Sequence, residues 1–237
     1  NMANYLIIAA SSGMAQKTTA LLRSEGHTVL TAARSAQKIQ PDYILDAASF
    51  SATHDVMSDA LNKLGQLDGV ANFAGSLLLK AAHQTTQEQY DDVIRASLTT
   101  AFATTHAAGK LLTKGGSIVL FSSAAALEGL PNHEAIAAAK AGVQGLIQSA
   151  AATYAPQNLR FNAIAPGLTE TPLTQALTGS ELARKMSEAM HPLGRIGTSA
   201  DIANTVSFFL NPANSWITGQ VLAVDGGLSR LKMKMKP

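Results

Sequence analysis

Apolar positions along the chain switch repeatedly between two periods. Tyr5 to Ala10 is a short unbroken apolar run, the mark of a strand covered on both faces. Met14, Thr18, Leu21 and Leu22 then recur at helical spacing until Gly26 closes the segment. Thr28–Ala33 reads as a second strand and Tyr43–Leu45 as a short third. Helical spacing returns from Ala52 to Leu64, and Gly69–Ala74 predicts a fourth strand. One long helix is predicted from Gln87 to Leu112, stopped by Lys114-Gly115-Gly116. Ser117–Phe121 is the fifth strand, and an alanine-rich helix from Asn132 to Ala155 ends at Pro156. Leu159–Ile164 and Val221–Val224 read as strands six and seven. Between those two lie a segment punctuated by Pro and Gly, from Pro166 to Gly197, and a helix from Ser199 to Leu210.

Strand and helix alternate with no break in composition, no repeat and no linker. That order predicts one doubly wound (Rossmann-type) α/β domain over residues 1–230. Its sheet is expected to be mostly parallel and seven-stranded, with helices on both faces. Residues 168–197 form a lid, and 231–237 a frayed basic tail.

Composition narrows the function. No run of eighteen uncharged apolar residues occurs, so no membrane span is expected. No basic region precedes the first apolar run, which argues against a signal peptide. The chain has no cysteine, which removes thiolate metal sites and cysteine nucleophiles and suits a cytoplasmic location. Its six histidines show no metal-ligand spacing, so no metal is expected. The net charge of +2 comes from the tail: without Arg230, Lys232, Lys234 and Lys236, fourteen basic residues face sixteen acidic ones. Such a body has no field for nucleic acid.

In open parallel sheets ligands bind beyond the carboxyl ends of the strands. Ser11-Ser12-Gly13 follows the first strand, with Met14 opening a helix whose N-terminus suits a pyrophosphate. A sharp turn alone also explains the glycine. Arg34 follows the second strand, where an acid for the ribose is the common choice; an arginine there suits a 2′-phosphate, or is an ordinary loop residue. Asp46-Ala47 follows the third, Asn72-Phe73-Ala74-Gly75 ends the fourth, Ser122-Ser123 the fifth and Pro166-Gly167 the sixth.

These residues, in this order, resemble the short-chain dehydrogenase/reductase family over essentially the whole chain. The likeness is most specific at the C-terminal end: Phe161 to Gly167, Thr171-Pro172, Pro192 to Arg195, Ile217 to Gln220 and Val224 to Gly227. The resemblance implies that Asp46 bonds the adenine amino group and Thr171 the nicotinamide carboxamide. Ser11, Ser12, Gly13, Met14, Arg34, Ala47, Asn72, Ala74, Gly75, Pro166, Gly167 and Leu168 complete the cofactor site. Lys140 resembles the lysine that bonds the nicotinamide ribose, and Ser123, seventeen residues before it, the catalytic serine. NADP(H) is expected over NAD(H) because of Arg34. The partners implied are a small carbonyl or alcohol substrate and further copies of the chain, as a dimer or tetramer.

The departures bear on the chemistry. The family's tyrosine stands four residues before its lysine, and here that position is Ile136. Ser97 replaces an asparagine that helps hold a proton-relay water. Ile8, Ala9 and Ala15 replace a threonine and two glycines of the cofactor turn, where added methyls are expected to crowd the phosphates. Carbonyl reduction needs a proton for the developing alkoxide, and isoleucine can neither donate nor accept. His133, three residues before Ile136, is a candidate substitute or else a solvated or capping residue away from the cofactor. Two functions follow: a weak or altered NADP(H)-dependent oxidoreductase, or a non-catalytic nucleotide-binding pseudoenzyme acting as a sensor or oligomer subunit.

Overall fold

The computed structural model describes residues 2–232, so most of the basic tail, with Lys234 and Lys236, lies outside the described residues. Seven strands form one sheet: β1 (Asn4–Ile8), β2 (Thr28–Ala33), β3 (Tyr43–Ile44), β4 (Gly69–Asn72), β5 (Gly116–Phe121), β6 (Leu159–Pro166) and β7 (Val221–Val224). Their order is β3-β2-β1-β4-β5-β6-β7, and every neighbouring pair is parallel, beyond the mostly parallel sheet expected. The order reverses between β1 and β4, which opens a crevice at their carboxyl ends.

Period-two alternation divides the apolar strand residues between two cores. Leu6, Ile8, Val70, Ile118, Leu120 and Phe161 face one side, under α2 (Phe50–Leu64), α4 (Thr100–Leu111) and α5 (Glu134–Tyr154). Tyr5, Ile7, Ala71, Val119, Phe121 and Ile164 face the other, under α1 (Gly13–Ser24) and α8 (Ser199–Leu210). Both faces are dry, which is why the strands read as unbroken apolar runs. No helix among the described residues is long and apolar enough to cross a membrane.

Three elements differ from the sequence pattern. β1 ends at Ile8 rather than Ala10 because Ala9 takes a left-handed backbone, φ 58°, that turns the chain toward α1. The helix expected over 87–112 is divided into α3 (Gln87–Ile94) and α4 by a π-turn, Arg95–Thr99, at the position of Ser97. Such widened turns often mark functional sites. The segment between β6 and α8 holds two helices, α6 (Gln175–Thr178) and α7 (Glu181–Met190). Small shifts occur elsewhere: β6 runs on to Pro166 because Val224 pairs there, and α5 starts at Glu134, after Asn132 with φ 63°.

Candidate active site

A cleft of about 1050 Å³ runs along the carboxyl ends of the strands. It is lined by Ser11, Ser12, Gly13, Met14, Arg34, Asp46, Ala47, Ala74, Gly75, Ser123, Ile136, Lys140, Pro166, Gly167, Leu168 and Thr171. Residues from six strand ends and from the helices α1 and α5 thus meet in one place. Asn72 and Ser97 stand behind the wall.

The turn after β1 is organised by Ser12, whose Oγ accepts from the Ala15 N–H at 3.2 Å. Gly13 and Met14 open α1, so their N–H groups have no carbonyl within the helix to bond. An anion is favoured there by those donors and by the helix dipole. The two alanines of this turn behave differently. Ala15 is fully buried in the core beside Leu22 and Ile202, so its methyl does not crowd the cleft as expected from the sequence. Ala9 lines the cleft and carries the left-handed backbone. That conformation costs an L-residue roughly 1–2 kcal/mol. Ala9→Gly is therefore expected to raise the melting temperature by about 2–4 °C, since about 1 kcal/mol moves a chain of this size by that much. Calorimetry checks it; an unchanged or lower value would show that the turn bears no strain.

Arg34 and Lys38 stand exposed at the end of the cleft beside β2, and neither is held in an ion pair among the described residues. Arg95, from the π-turn, pairs with the Asp46 carboxylate across 49 positions of sequence. The other Asp46 oxygen accepts from the Ala48 N–H at 3.1 Å. Lys38 and Arg95 were not singled out by the sequence; strand-end position, the signal used for Arg34, reaches neither. Asn72 acts as a brace: its Nδ2 donates to Thr100 O and Thr104 Oγ1 at 3.1 and 2.9 Å, and its Oδ1 accepts from Ala74 N at 2.8 Å. It holds the turn that presents Ala74 and Gly75.

At the centre, Lys140 Nζ donates to the Phe121 carbonyl at 2.9 Å and has no carboxylate partner among the described residues. The residue is 6% exposed, and burial pulls its pKa from 10.5 down to about 8. A Cβ on Gly75 would stand 3.2 Å from this nitrogen. Ser97 Oγ is buried nearby with no hydrogen-bond partner among the described residues. Ile136, one turn before Lys140, packs with Val93, Ala135 and Ala139 and still lines the cleft. The paired serines divide their work. Ser122 Oγ donates to Lys140 O at 3.0 Å and ties β5 to α5, whereas Ser123 opens into the cleft with its Oγ accepting from Ala125 N.

On the lid side, a Cβ on Gly167 would meet Asp225 Cα at 2.8 Å and His191 Nε2 at 2.9 Å, so only glycine fits. His191, which the sequence reading passed over, accepts from Leu168 N and donates through Nδ1 to Ser187 O at 2.7 Å. Thr171 N donates to Thr174 Oγ1, which fixes the first lid turn. The sequence leaves His133 open between a substitute acid and a solvated or capping residue away from the cofactor, and in the fold it stands at the N-cap position of α5. It makes no capping bond, its Nδ1 donates to Pro131 O at 2.8 Å, and it lines the cleft.

The strand order and the crevice place the chain among the open, doubly wound α/β proteins. A family profile described as enoyl-(acyl carrier protein) reductase matches residues 8–229, and the chain belongs to the short-chain dehydrogenase/reductase family. It is similar to 3-oxoacyl-(acyl-carrier-protein) reductase FabG of Thermotoga maritima, 34% identical over 94% of this chain and 96% of that one. It is also similar to the inactive 2-(S)-hydroxypropyl-CoM dehydrogenase 2 of Xanthobacter autotrophicus, 35% identical over 79% of this chain and 83% of that one. The solved structure of ElxO with NADP bound superposes with a TM-score of 0.88 at 25% identity, covering 96% of this chain and 99% of that one.

Proposed function

We propose that the chain is an NADP(H)-binding oxidoreductase of a small carbonyl or alcohol whose standard turnover is weak or absent because Ile136 occupies the proton donor's place. The observation that carries this reading is the position of Ile136. It lines the cleft one helical turn from a buried lysine, with Ser123 opening into the cleft from the facing strand end.

The cleft fits a nicotinamide dinucleotide on its own chemistry. Ser11, Ser12, Gly13 and Met14 would hold the pyrophosphate at the helix N-terminus, and Arg34 with Lys38 the 2′-phosphate. Asp46 and Ala47 would border the adenine, and Ala74, Gly75 and Lys140 the nicotinamide ribose. Pro166, Gly167, Leu168 and Thr171 would border the nicotinamide ring. When bound, that group supplies or takes the hydride. Ser123 then donates to the substrate oxygen, and the Lys140 ammonium stabilises negative charge near it. No side chain at position 136 delivers the proton, and His133 and His191 are imidazoles that line the same cleft.

Arg34→Asp tests the nucleotide half. Charge-assisted bonds are worth about 1.5–3 kcal/mol, so the variant should bind NADPH roughly 10–100-fold more weakly and NADH no worse. Equal losses for both nucleotides would remove Arg34 from the 2′-phosphate.

A second reading, a non-catalytic nucleotide sensor or oligomer subunit, is favoured by one surface feature. Phe50 of α2 and Phe102 of α4 stack at 5.7 Å with both rings exposed, beside His106. Exposed aromatic pairs suit a contact with a second copy.

A further inference from the structure

A buried ammonium needs an opposite charge or a full set of acceptors, and Lys140 has neither among the described residues. Of its three donors, one reaches the Phe121 carbonyl. Burial alone pulls its pKa down, with no carboxylate to oppose it. The charged and titratable groups of the surrounding elements are committed elsewhere or turned to solvent. Arg95 of the π-turn pairs with Asp46. Glu88, Asp91 and Asp92 of α3 are exposed, as is Glu134 at the start of α5, while His133 donates to Pro131 O. His106 of α4 lies against Phe50. In the lid, His191 bonds Leu168 and Ser187, and Glu170 pairs with Arg184. Residues 73–77 after β4 and 122–126 after β5 carry no charged side chain.

Two hydroxyls on neighbouring segments are unsatisfied as well. Ser97 is 1% exposed, and its Oγ has no hydrogen-bond partner among the described residues. Ser76 Oγ, on the turn after β4, is buried and equally unpartnered. Gly75 brings the lysine and Ser97 to one place. A Cβ there would stand 3.2 Å from Lys140 Nζ and 3.9 Å from Ser97 Oγ, so the absence of a side chain leaves both atoms bordering one small space. A water would satisfy the hydroxyl but not the charge. One cation and one hydroxyl in so tight a space select a small monovalent anion over a divalent one, whose second charge would be desolvated without a partner.

We propose that the space beside Gly75 binds one small monovalent anion, of the size of chloride or nitrate, held by Lys140 Nζ and the Ser97 hydroxyl. The ammonium supplies the charge, and Ser97 Oγ donates its hydrogen to the anion. Any ligand that reaches Lys140 displaces the anion, so affinity for that ligand falls as chloride rises. The site takes nothing from the oxidoreductase reading, and the two stand or fall separately.

The test reads chloride binding to the nucleotide-free protein from the linewidth of the chloride NMR signal. The unmodified protein should broaden that signal saturably near neutral pH. Nitrate should reverse the broadening, and sulfate at equal ionic strength should not. Raising the pH to about 9.5 should weaken chloride at least about tenfold, because a group with a pKa of about 8 is then mostly neutral. Arginines stay charged through that range, so binding at the surface would not follow the same profile. Lys140→Met should weaken chloride about 10–100-fold, the worth of a charge-assisted bond, and Ser97→Ala about 2–10-fold. Arg34→Ala, at the end of the cleft beside β2, should leave chloride binding unchanged. Circular dichroism confirms that the variants are folded, and the pH profile of the unmodified protein decides the matter without them. The absence of saturable broadening would leave the lysine and the hydroxyl to water and overturn the proposal. So would an affinity that survives the rise in pH, sulfate displacing as well as nitrate, or full binding by both Lys140→Met and Ser97→Ala.

Discussion

Ile136→Tyr is expected to raise carbonyl reduction by about 10²–10⁴, the usual worth of a positioned general acid. The hydroxyl would arrive one turn before Lys140, on the helix face that already lines the cleft. A buried ammonium beside it would draw the phenol's pKa down from its ordinary value near 10. Two features hold the gain below its ceiling. Ile136 packs against Val93 and Ala139, so a larger ring costs about 1–3 kcal/mol of stability. Ser97, at the position to which the resemblance assigns a relay asparagine, also leaves its hydroxyl without a partner among the described residues. The check is steady-state oxidation of NADPH with a panel of neutral aldehydes and ketones, comparing the two proteins. An unmodified protein already turning over at about 10 s⁻¹, an ordinary enzyme rate, would contradict the missing-donor account and direct attention to His133.

Lys140→Met is expected to stabilise the nucleotide-free protein while weakening nucleotide binding. The lysine's pKa is about 8 in the folded chain against 10.5 when free, because burial disfavours the ammonium. Between those values the unfolded chain holds the extra proton, so stability rises with pH through that window. Below pH 8 the penalty is present in full, about 3 kcal/mol. Leaving the Phe121 carbonyl without its donor returns about 1 kcal/mol of that. Met should therefore add about 2 kcal/mol at pH 7, a gain of about 4–8 °C, and abolish the rise in stability from pH 8 to 10.5. A lower melting temperature at pH 7, or a pH rise that persists in the variant, would show that the ammonium is satisfied in the fold. The two expected results together, a gain in stability and a loss of nucleotide binding, would mean that the lysine serves a ligand at the expense of the free protein.

The sheet was legible because its strands are buried on both faces, which leaves runs such as Tyr5 to Ile8 and Ile118 to Phe121 with almost no polar interruption. Knowing where those runs ended was enough to gather Gly13, Arg34, Asp46, Ser123 and Pro166 around one cleft. What escaped the sequence arises from contacts it does not encode locally. Nothing around Arg95 announces a π-turn, since apolar spacing continues on both sides of it. The pairing of Arg95 with Asp46 joins residues 49 positions apart. The lid reads as a punctuated loop because its helices are short and amphipathic with the apolar side outward, so Leu182 and Met186 lack the buried context that periodicity reports. Ala15 misled for a related reason. A motif position says what an ancestor tolerated there, whereas the core beside Leu22 decides where the methyl goes.

Titration of the unmodified protein with NADPH and with NADH, followed by calorimetry, tests the central claim most directly. The account predicts one saturable site per chain, with NADPH bound about tenfold or more tighter than NADH through the cations beside β2. Saturable binding of neither nucleotide, or equal affinities for both, would contradict it.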